Sequence, residues 1–328
     1  MKQKKGKWRE LKVYRKMENQ NIAEDIEAVV TSYNQGSMIL EAVSSLCNQT
    51  MLPAGIIIVD DGSTGKHSLE ILDEITSDPA LPVPVTVLHQ SNGGVSAARN
   101  AGISRTRTSM VLVLDGDDKL ESAYIEETGR LLRSDPTMVA ASSWMCTFGV
   151  LDSVVRPSGG KIGAFLSRNC CPATHILRRR AWELCGGYDE SMRSGFEDWD
   201  FFLSMLETDP EAHIGIVEIP LIDYRTAPAS SNVRSMSKRL DLMRFIIEKH
   251  MDAYKENVAD AVLGIESASM FRLYGWESEI SHTLDADCKM CEASEKFMEH
   301  PSYGDGGMAA AVRIMSAYDK KGDSDLKQ

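Results

Sequence analysis

The 328 residues are 43% hydrophobic and 26% charged, a globular composition that excludes wholesale disorder. The 36 Lys and Arg against 48 Asp and Glu give a net charge of −12. Residues 1–16 hold eight basic side chains against Glu10, a net of +7, so the other 312 residues carry −19. An acidic body of this kind excludes a nucleic-acid binder, which needs clustered Lys and Arg for phosphate.

In chain order, a basic and polar leader over 1–24 comes first. No apolar stretch follows its charges, which reads against a secretory signal. Strand, turn and helix then alternate. Strands are expected at Ile26–Ser32, Gly55–Val59, Val83–Leu88, Met110–Leu114 and Met138–Ser142. Helices are expected at Met38–Asn48, His67–Thr76, Val95–Ser104 and Glu121–Arg133. This alternation predicts an α/β fold, a mostly parallel Rossmann-like sheet with helices on both faces. The apolar runs are strand-sized, far below the roughly 20 residues of a membrane-spanning helix. A Gly-, Ser- and Pro-rich loop is expected over Phe148–Lys161, then a strand at Ala173–Leu177, short helices at Arg179–Leu184 and Asp198–Leu206, and an extended segment at Ile214–Tyr224. Beyond Ser235 the pattern turns helical. Met243, Ile246, Ile247, His250 and Tyr254 form one apolar stripe, and Val258, Ala261, Val262 and Ile265 a second. The last 25 or so residues read as a frayed tail. These boundaries predict a catalytic domain over 25–234 and a C-terminal helical extension over 235–328.

Seven cysteines, scattered and odd in number, read as free thiols of a reducing compartment. Cys288 and Cys291 form a lone C-x-x-C, which reads as two thiols one helical turn apart rather than a zinc site. His175 and His213 sit in apolar contexts and read as structural.

In open α/β sheets, ligands bind beyond the carboxyl ends of the strands. Four polar strings occupy such ends: Thr31–Asn34, Asp60–Ser63, Asn92–Gly102 and Asp115–Asp118. Three carboxylates within Asp115–Asp118 repel one another, and a divalent cation relieves that repulsion; Mg²⁺ takes one or two carboxylates plus phosphate oxygens. The competing reading is a solvated acidic turn before a helix. Gly116 lets the backbone turn tightly. Gly93-Gly94 before a helix suits an anion, although it also suits a plain strand-to-helix turn, and the dinucleotide G-x-G-x-x-G spacing is absent. Arg99, on the first turns of that helix, is placed to reach a nucleotide or a nearby acid.

Taken together, Val29–Asp118 resembles the family 2 glycosyltransferases, through "VVTSYNQ", "IIIVDDGST", "NGGVSAARNAGI" and "LVLDGDD". "GGYDE" (Gly186–Glu190) and "FEDWDFF" (Phe196–Phe202) follow in order, so the resemblance spans roughly residues 25–230. It implies the glycosyltransferase A fold and an inverting, metal-dependent transfer of a sugar from a nucleotide-diphosphate sugar, UDP being the usual nucleotide. It implies that Thr31 and Tyr33 contact the base, with Asp61 bonded to it and Asp60 sharing that role. Asn92, Gly94 and Arg99 would lie along the nucleoside diphosphate, Asp115 and Gly116 at the ribose or sugar. Asp117 and Asp118 would hold Mn²⁺ or Mg²⁺. Asp198 would be the catalytic base beside Glu197, two acids that otherwise read as helix-capping residues. Trp199 would floor an acceptor sugar or pack in the core. The chain departs from the family at Gly65, where an acid is common, and after Tyr224-Arg225, where Thr226-Ala227-Pro228 offer no third metal ligand.

The implied acceptor is a saccharide or a lipid-linked saccharide, in surface polysaccharide or glycoconjugate synthesis. The implied location is the cytoplasm, with peripheral contact at the inner face of the membrane through residues 1–16. The terminal helices allow a homodimer. The competing readings are a catalytically weakened nucleotide-sugar-binding or assembly subunit, and a nucleotidyltransferase. The latter would need a basic Gly-rich loop near the first strand, which Tyr33–Ile39 lacks.

Overall fold

The computed structural model describes residues 21–228, 231–283 and 292–325. Residues 1–20 of the leader and the Cys288/Cys291 pair lie outside the described residues, and the end of the leader forms a strand, Asn21–Ala23. The chain runs β1 (Asn21–Ala23), β2 (Ile26–Ser32), α1 (Met38–Cys47), β3 (Met51–Pro53), β4 (Ile56–Asp60), α2 (Lys66–Thr76), β5 (Val85–His89), α3 (Val95–Arg105), β6 (Met110–Asp115), β7 (Lys119–Leu120), α4 (Tyr124–Ser134), β8 (Met138–Gly149) and β9 (Ser153–Val155). It continues through α5 (Ile162–Phe165), β10 (His175–Arg178), α6 (Arg179–Cys185), α7 (Glu197–Leu206), β11 (His213–Thr226), α8 (Ser231–Ser235), a 3₁₀ turn (Met236–Lys238), α9 (Arg239–Lys249), α10 (Met251–Glu256), α11 (Val258–Thr283), α12 (Glu292–Glu299) and α13 (Gly307–Asp325).

The main sheet has the order β5-β4-β2-β6-β10-β8-β11-β7, with β9 paired to β8. β5, β4, β2 and β6 are parallel; β10 runs antiparallel between β6 and β8. The central strands are continuous apolar runs because both of their faces are covered. Alternation sorts their side chains into two cores. Ala28, Val30, Ile56 and Ile58 pack with α1, α2 and α4. Val29, Ile57 and Val59 pack with α3 and α7 on the other face. The register places Thr31 beside Asp115 and Ser32 beside Asp60, so the carboxyl ends of three strands finish level. Helix α3 lies close on β2 at Gly102, where a Cβ would stand 2.3 Å from Val29 Cγ1.

Several expectations need correction. The strand expected to end at Ser142 continues to Gly149, because β8 pairs with β11 along most of its length and its polar residues Ser142 and Ser143 are buried in that pairing. The segment expected to be loop contains β9, which pairs with β8. The tail expected to fray is helical over Gly307–Asp325, and Met308, Ala311 and Val312 enter the core under the sheet. The stripe through His250 is carried by two short helices, α9 and α10, that meet at His250. The second stripe is not a buried face: Ala261 is covered, but Val258, Val262 and Ile265 are exposed.

The five described cysteines, Cys47, Cys146, Cys170, Cys171 and Cys185, are free. Burial holds His175 neutral, its pKa pushed down to about 3, while His213 sits half-buried 3.5 Å from Asp135. Among the described residues no helix is long and apolar enough to cross a membrane.

Candidate active site

The level strand ends open onto a cleft of about 880 Å³. Thr31, Tyr33, Asp61, Asn92, Gly94, Arg99, Asp115 and Asp117 line it. Tyr33 is half exposed there, an aromatic face open to solvent. Asp61 is buried and fixes the glycine turn. Its Oδ1 accepts from Gly93 N at 2.7 Å and Gln90 Nε2 at 2.8 Å, and its Oδ2 accepts from Gly94 N at 2.9 Å. Gly94 has φ +91°, a backbone angle that glycine adopts without strain. Asn92 Nδ2 donates to the Asp61 carbonyl at 3.0 Å. Asp60 is turned away from the cleft: it accepts from Ser63 N at 3.1 Å and faces His89 Nδ1 at 2.9 Å. Gly65 starts α2, and its N–H donates to Asn34 Oδ1 at 2.8 Å.

At the junction of β2, β6 and α3 lies a buried charge knot. The Arg99 side chain is 1% exposed. Its Nη2 donates to both oxygens of Asp115 at 3.0 Å, and its Nη1 to Glu197 Oε1 at 3.3 Å. Burial works against the Arg99 charge, but Asp115 and the neighbouring acids more than offset it and hold the guanidinium protonated. Asp115 also accepts from Thr31 Oγ1 at 2.9 Å. Gly116 is required for the close approach of β6 to β2, since a Cβ would lie 2.5 Å from the Thr31 carbonyl oxygen.

The two acids that follow separate. Asp117 lines the cleft, and burial, then Asp115, pushes its pKa up to about 6. Asp118 is buried and lines a second, smaller cavity of about 150 Å³. Its Oδ1 accepts from Arg225 N at 2.8 Å, and burial, then Asp117, raises its pKa well above the carboxylate range. Arg225 also donates to the Asp117 carbonyl at 2.9 Å and pairs with Glu41 at 3.0 Å. Among the described residues no group of three or more His, Cys, Asp or Glu is placed to hold a metal. The donor set fits a divalent cation only through the Asp117 and Asp118 oxygens, with other ligands coming from phosphate and water.

Asp198 lines the smaller cavity, whereas Glu197, Arg99, Asp115 and Gly195 border both spaces. Asp198 Oδ2 accepts from Asn169 Nδ2 at 3.0 Å and Oδ1 from Trp199 N at 2.8 Å. Burial, then Glu197, pushes the Asp198 pKa up to about 7, against the pull of Arg99. A carboxyl in that range takes up a proton near neutral pH, the property of a general base. Trp199 is 1% exposed, and its indole N–H donates to the Phe165 carbonyl at 2.7 Å. Just before these acids, Phe196 holds φ +66°. That strain turns the chain sharply into α7.

Sequence reasoning missed Asn169, whose neighbours carry no periodic pattern. It named Arg225 without giving it a role. It also missed Arg193, Arg234 and Lys238, which bring positive charge to the cleft from segments without a motif.

Residues 27–183 match the family model "Glycosyl transferase family 2". The chain is similar to an uncharacterized glycosyltransferase, EpsJ of Bacillus subtilis, with 38% identity over 31% of this chain and 28% of that protein. It is similar to chondroitin synthase of Escherichia coli, with 27% identity over 77% of this chain and 36% of that protein. The chain thus matches only about a third of the length of these relatives. The fold is that of S. aureus TarS 1-349 in complex with UDP-GlcNAc (TM-score 0.50, 15% identity, 70% of this chain and 72% of that one). GalNAc-T7 with UDP, GalNAc and Mn²⁺ shares it as well (TM-score 0.52, 15% identity, 69% of this chain and 48% of that one).

Proposed function

We propose that the chain, whose residues 27–183 match the family model "Glycosyl transferase family 2", is an inverting glycosyltransferase that moves a sugar from a UDP-sugar to an acceptor hydroxyl. The observation that carries this reading is the meeting of a nucleotide-sized cleft with a smaller cavity at Arg99, Asp115, Gly195 and Glu197, with Asp198 on the cavity side. The donor occupies the cleft. Tyr33 stacks on the base, and Asp61 both accepts from the base and holds the Gly93-Gly94 turn. Arg193, Arg234 and Lys238 face the diphosphate. Asp117 and Asp118 would hold Mn²⁺ or Mg²⁺, which when bound supplies positive charge to the leaving diphosphate. UDP and Mn²⁺ are the choices suggested by the ligands of the two fold neighbours.

The acceptor hydroxyl attacks the anomeric carbon from the face opposite the diphosphate. The carbon–oxygen bond to the diphosphate breaks, configuration inverts, and Asp198 takes the hydroxyl proton. Asn169 holds the Asp198 carboxylate in place. Arg99 offsets one of the two negative charges of Asp115 and Glu197, which lowers the repulsion between the acids around the sugar and the departing diphosphate.

The setting we propose is surface polysaccharide or glycoconjugate synthesis in the cytoplasm. Residues 1–16 would then touch an anionic membrane surface at about 1 kcal/mol per basic residue near the lipid. The test is nucleotide release from a panel of nucleotide sugars, with Mn²⁺ and with chelator. Turnover of a UDP-sugar that the chelator suppresses supports the reading. Binding of a nucleotide sugar without turnover under any condition would favour a catalytically weakened binding subunit instead.

A further inference from the structure

The cavity behind Asp198 is closed by chain that lies far beyond the matched family segment. Tyr303, Gly304 and Gly306, from the turn between α12 and α13, and Met308 at the start of α13 line it. The turn is held from several sides. Tyr303 Oη donates to the Cys171 carbonyl at 3.1 Å, and Arg239 Nη2 donates to the Gly304 carbonyl at 3.3 Å. Asp305 accepts from Ser302 Oγ at 2.7 Å and Gly307 N at 2.9 Å, and it pairs with Arg272 at 3.3 Å. Gly304 has φ +78°, and a Cβ there would stand 1.9 Å from the Asn169 carbonyl oxygen. The turn therefore lies against the backbone of the residue whose side chain holds Asp198.

We propose that the turn Ser302–Gly307 is the far wall of the acceptor subsite and that this subsite takes one terminal sugar ring. The inference rests on the transferase reading above and adds the location and size of the acceptor site. Size argues for a single ring: about 150 Å³ is below the roughly 300–1,000 Å³ of ordinary small-molecule pockets, whereas the donor cleft falls within that range. Chemistry argues for a sugar. Trp199 and Tyr303 spend their polar atoms on the Phe165 and Cys171 carbonyls, so they offer the cavity carbon surface. Asp198 and Arg239 line the same cavity and supply polar atoms to it. Apolar ring edges beside a few fixed polar groups match the mixed surface of a pyranose and not that of a lipid chain.

The experiment uses the full chain, the UDP-sugar that binds it, and a set of methyl monosaccharide glycosides as acceptors. Tyr303→Ala and Gly304→Ala are compared with wild type, and their melting is measured to confirm folding. The expected result for Tyr303→Ala is an acceptor KM raised roughly tenfold or more, with donor Kd unchanged. Gly304→Ala pushes the turn off Asn169, so it is expected to lower kcat/KM for the acceptor and to move the pH limb set by Asp198, again with donor Kd unchanged. Acceptor KM unchanged in both folded variants, or acceptance of longer saccharides but of no monosaccharide glycoside, would overturn the proposal. If no nucleotide sugar binds wild type, the transferase reading itself fails and the acceptor wall falls with it.

Discussion

Replacing His250 with Ala should destabilise the protein by about 3 kcal/mol at pH 6 and by much less at high pH. His250 is 1% exposed in its side chain and bonds two acids of α7 and its end: Nε2 lies 3.0 Å from Asp200 Oδ1, and Nδ1 2.9 Å from Glu207 Oε2. Both ring nitrogens meet carboxylates, so both donate, and the ring is the imidazolium. Burial works against that charge, but Asp200 and Glu207 outweigh it and raise the His250 pKa. Removing one partner of a buried pair costs about 3–5 kcal/mol. The low end applies because Lys249 Nζ still holds Asp200 Oδ2 at 2.8 Å, and Glu207, more than one third exposed, rehydrates. The folded pKa lies above the ordinary 6.5, so the His250 contribution is full below about pH 6.5 and is lost as pH rises through the raised value. Urea unfolding of wild type and His250→Ala at pH 6 and pH 9 measures this directly. The raised carboxyls Asp117 and Asp118 also titrate, but they are common to both proteins, so the difference isolates His250. Equal stabilities at pH 6, or a gap that does not shrink by pH 9, would refute the argument.

Other consequences follow from the same geometry. Arg99→Met leaves Asp115 and Glu197 without their shared cation, and should cost about 3–5 kcal/mol in chemical denaturation along with donor binding; a variant as stable as wild type would show that the knot contributes nothing to the fold. Asp61→Asn puts an amide against the N–H groups of Gly93 and Gly94, so nucleotide affinity measured by calorimetry should fall about fivefold or more for a loss of about 1–3 kcal/mol. An unchanged Kd would mean that the glycine turn forms without that carboxylate. The pKa of Asp198 near 7 predicts that kcat/KM for the acceptor rises with pH through about 7, since the base must be deprotonated to act. A flat profile from pH 6 to 8 would count against that role.

β2, β4 and β6 were legible because both of their faces are buried, which writes each as a nearly unbroken apolar run with polar residues at its carboxyl end. Ile26–Ser32 matches residue for residue. The meeting of Arg99 with Glu197, 98 positions apart, has no local signal, and neither does the pairing of His250 with Asp200 across 50 positions. His250 fits an apolar stripe by spacing because it is buried, but spacing does not reveal that it is buried as an ion. The turn Ser302–Gly307 reads as a frayed segment because of its glycines, yet those glycines let it press on Asn169. Periodicity also marks Val258, Val262 and Ile265 as a face without saying whether anything covers it, and in the folded chain they stand exposed.

The role of Asp198 is tested most directly by Asp198→Asn, with donor binding and sugar transfer measured on the same preparation. Asn keeps the shape and one of the two accepting oxygens but takes no proton. The expected result is UDP-sugar affinity within about twofold of wild type and transfer slowed by roughly 10²–10⁴-fold. Transfer at or near the wild-type rate would contradict Asp198 as the base.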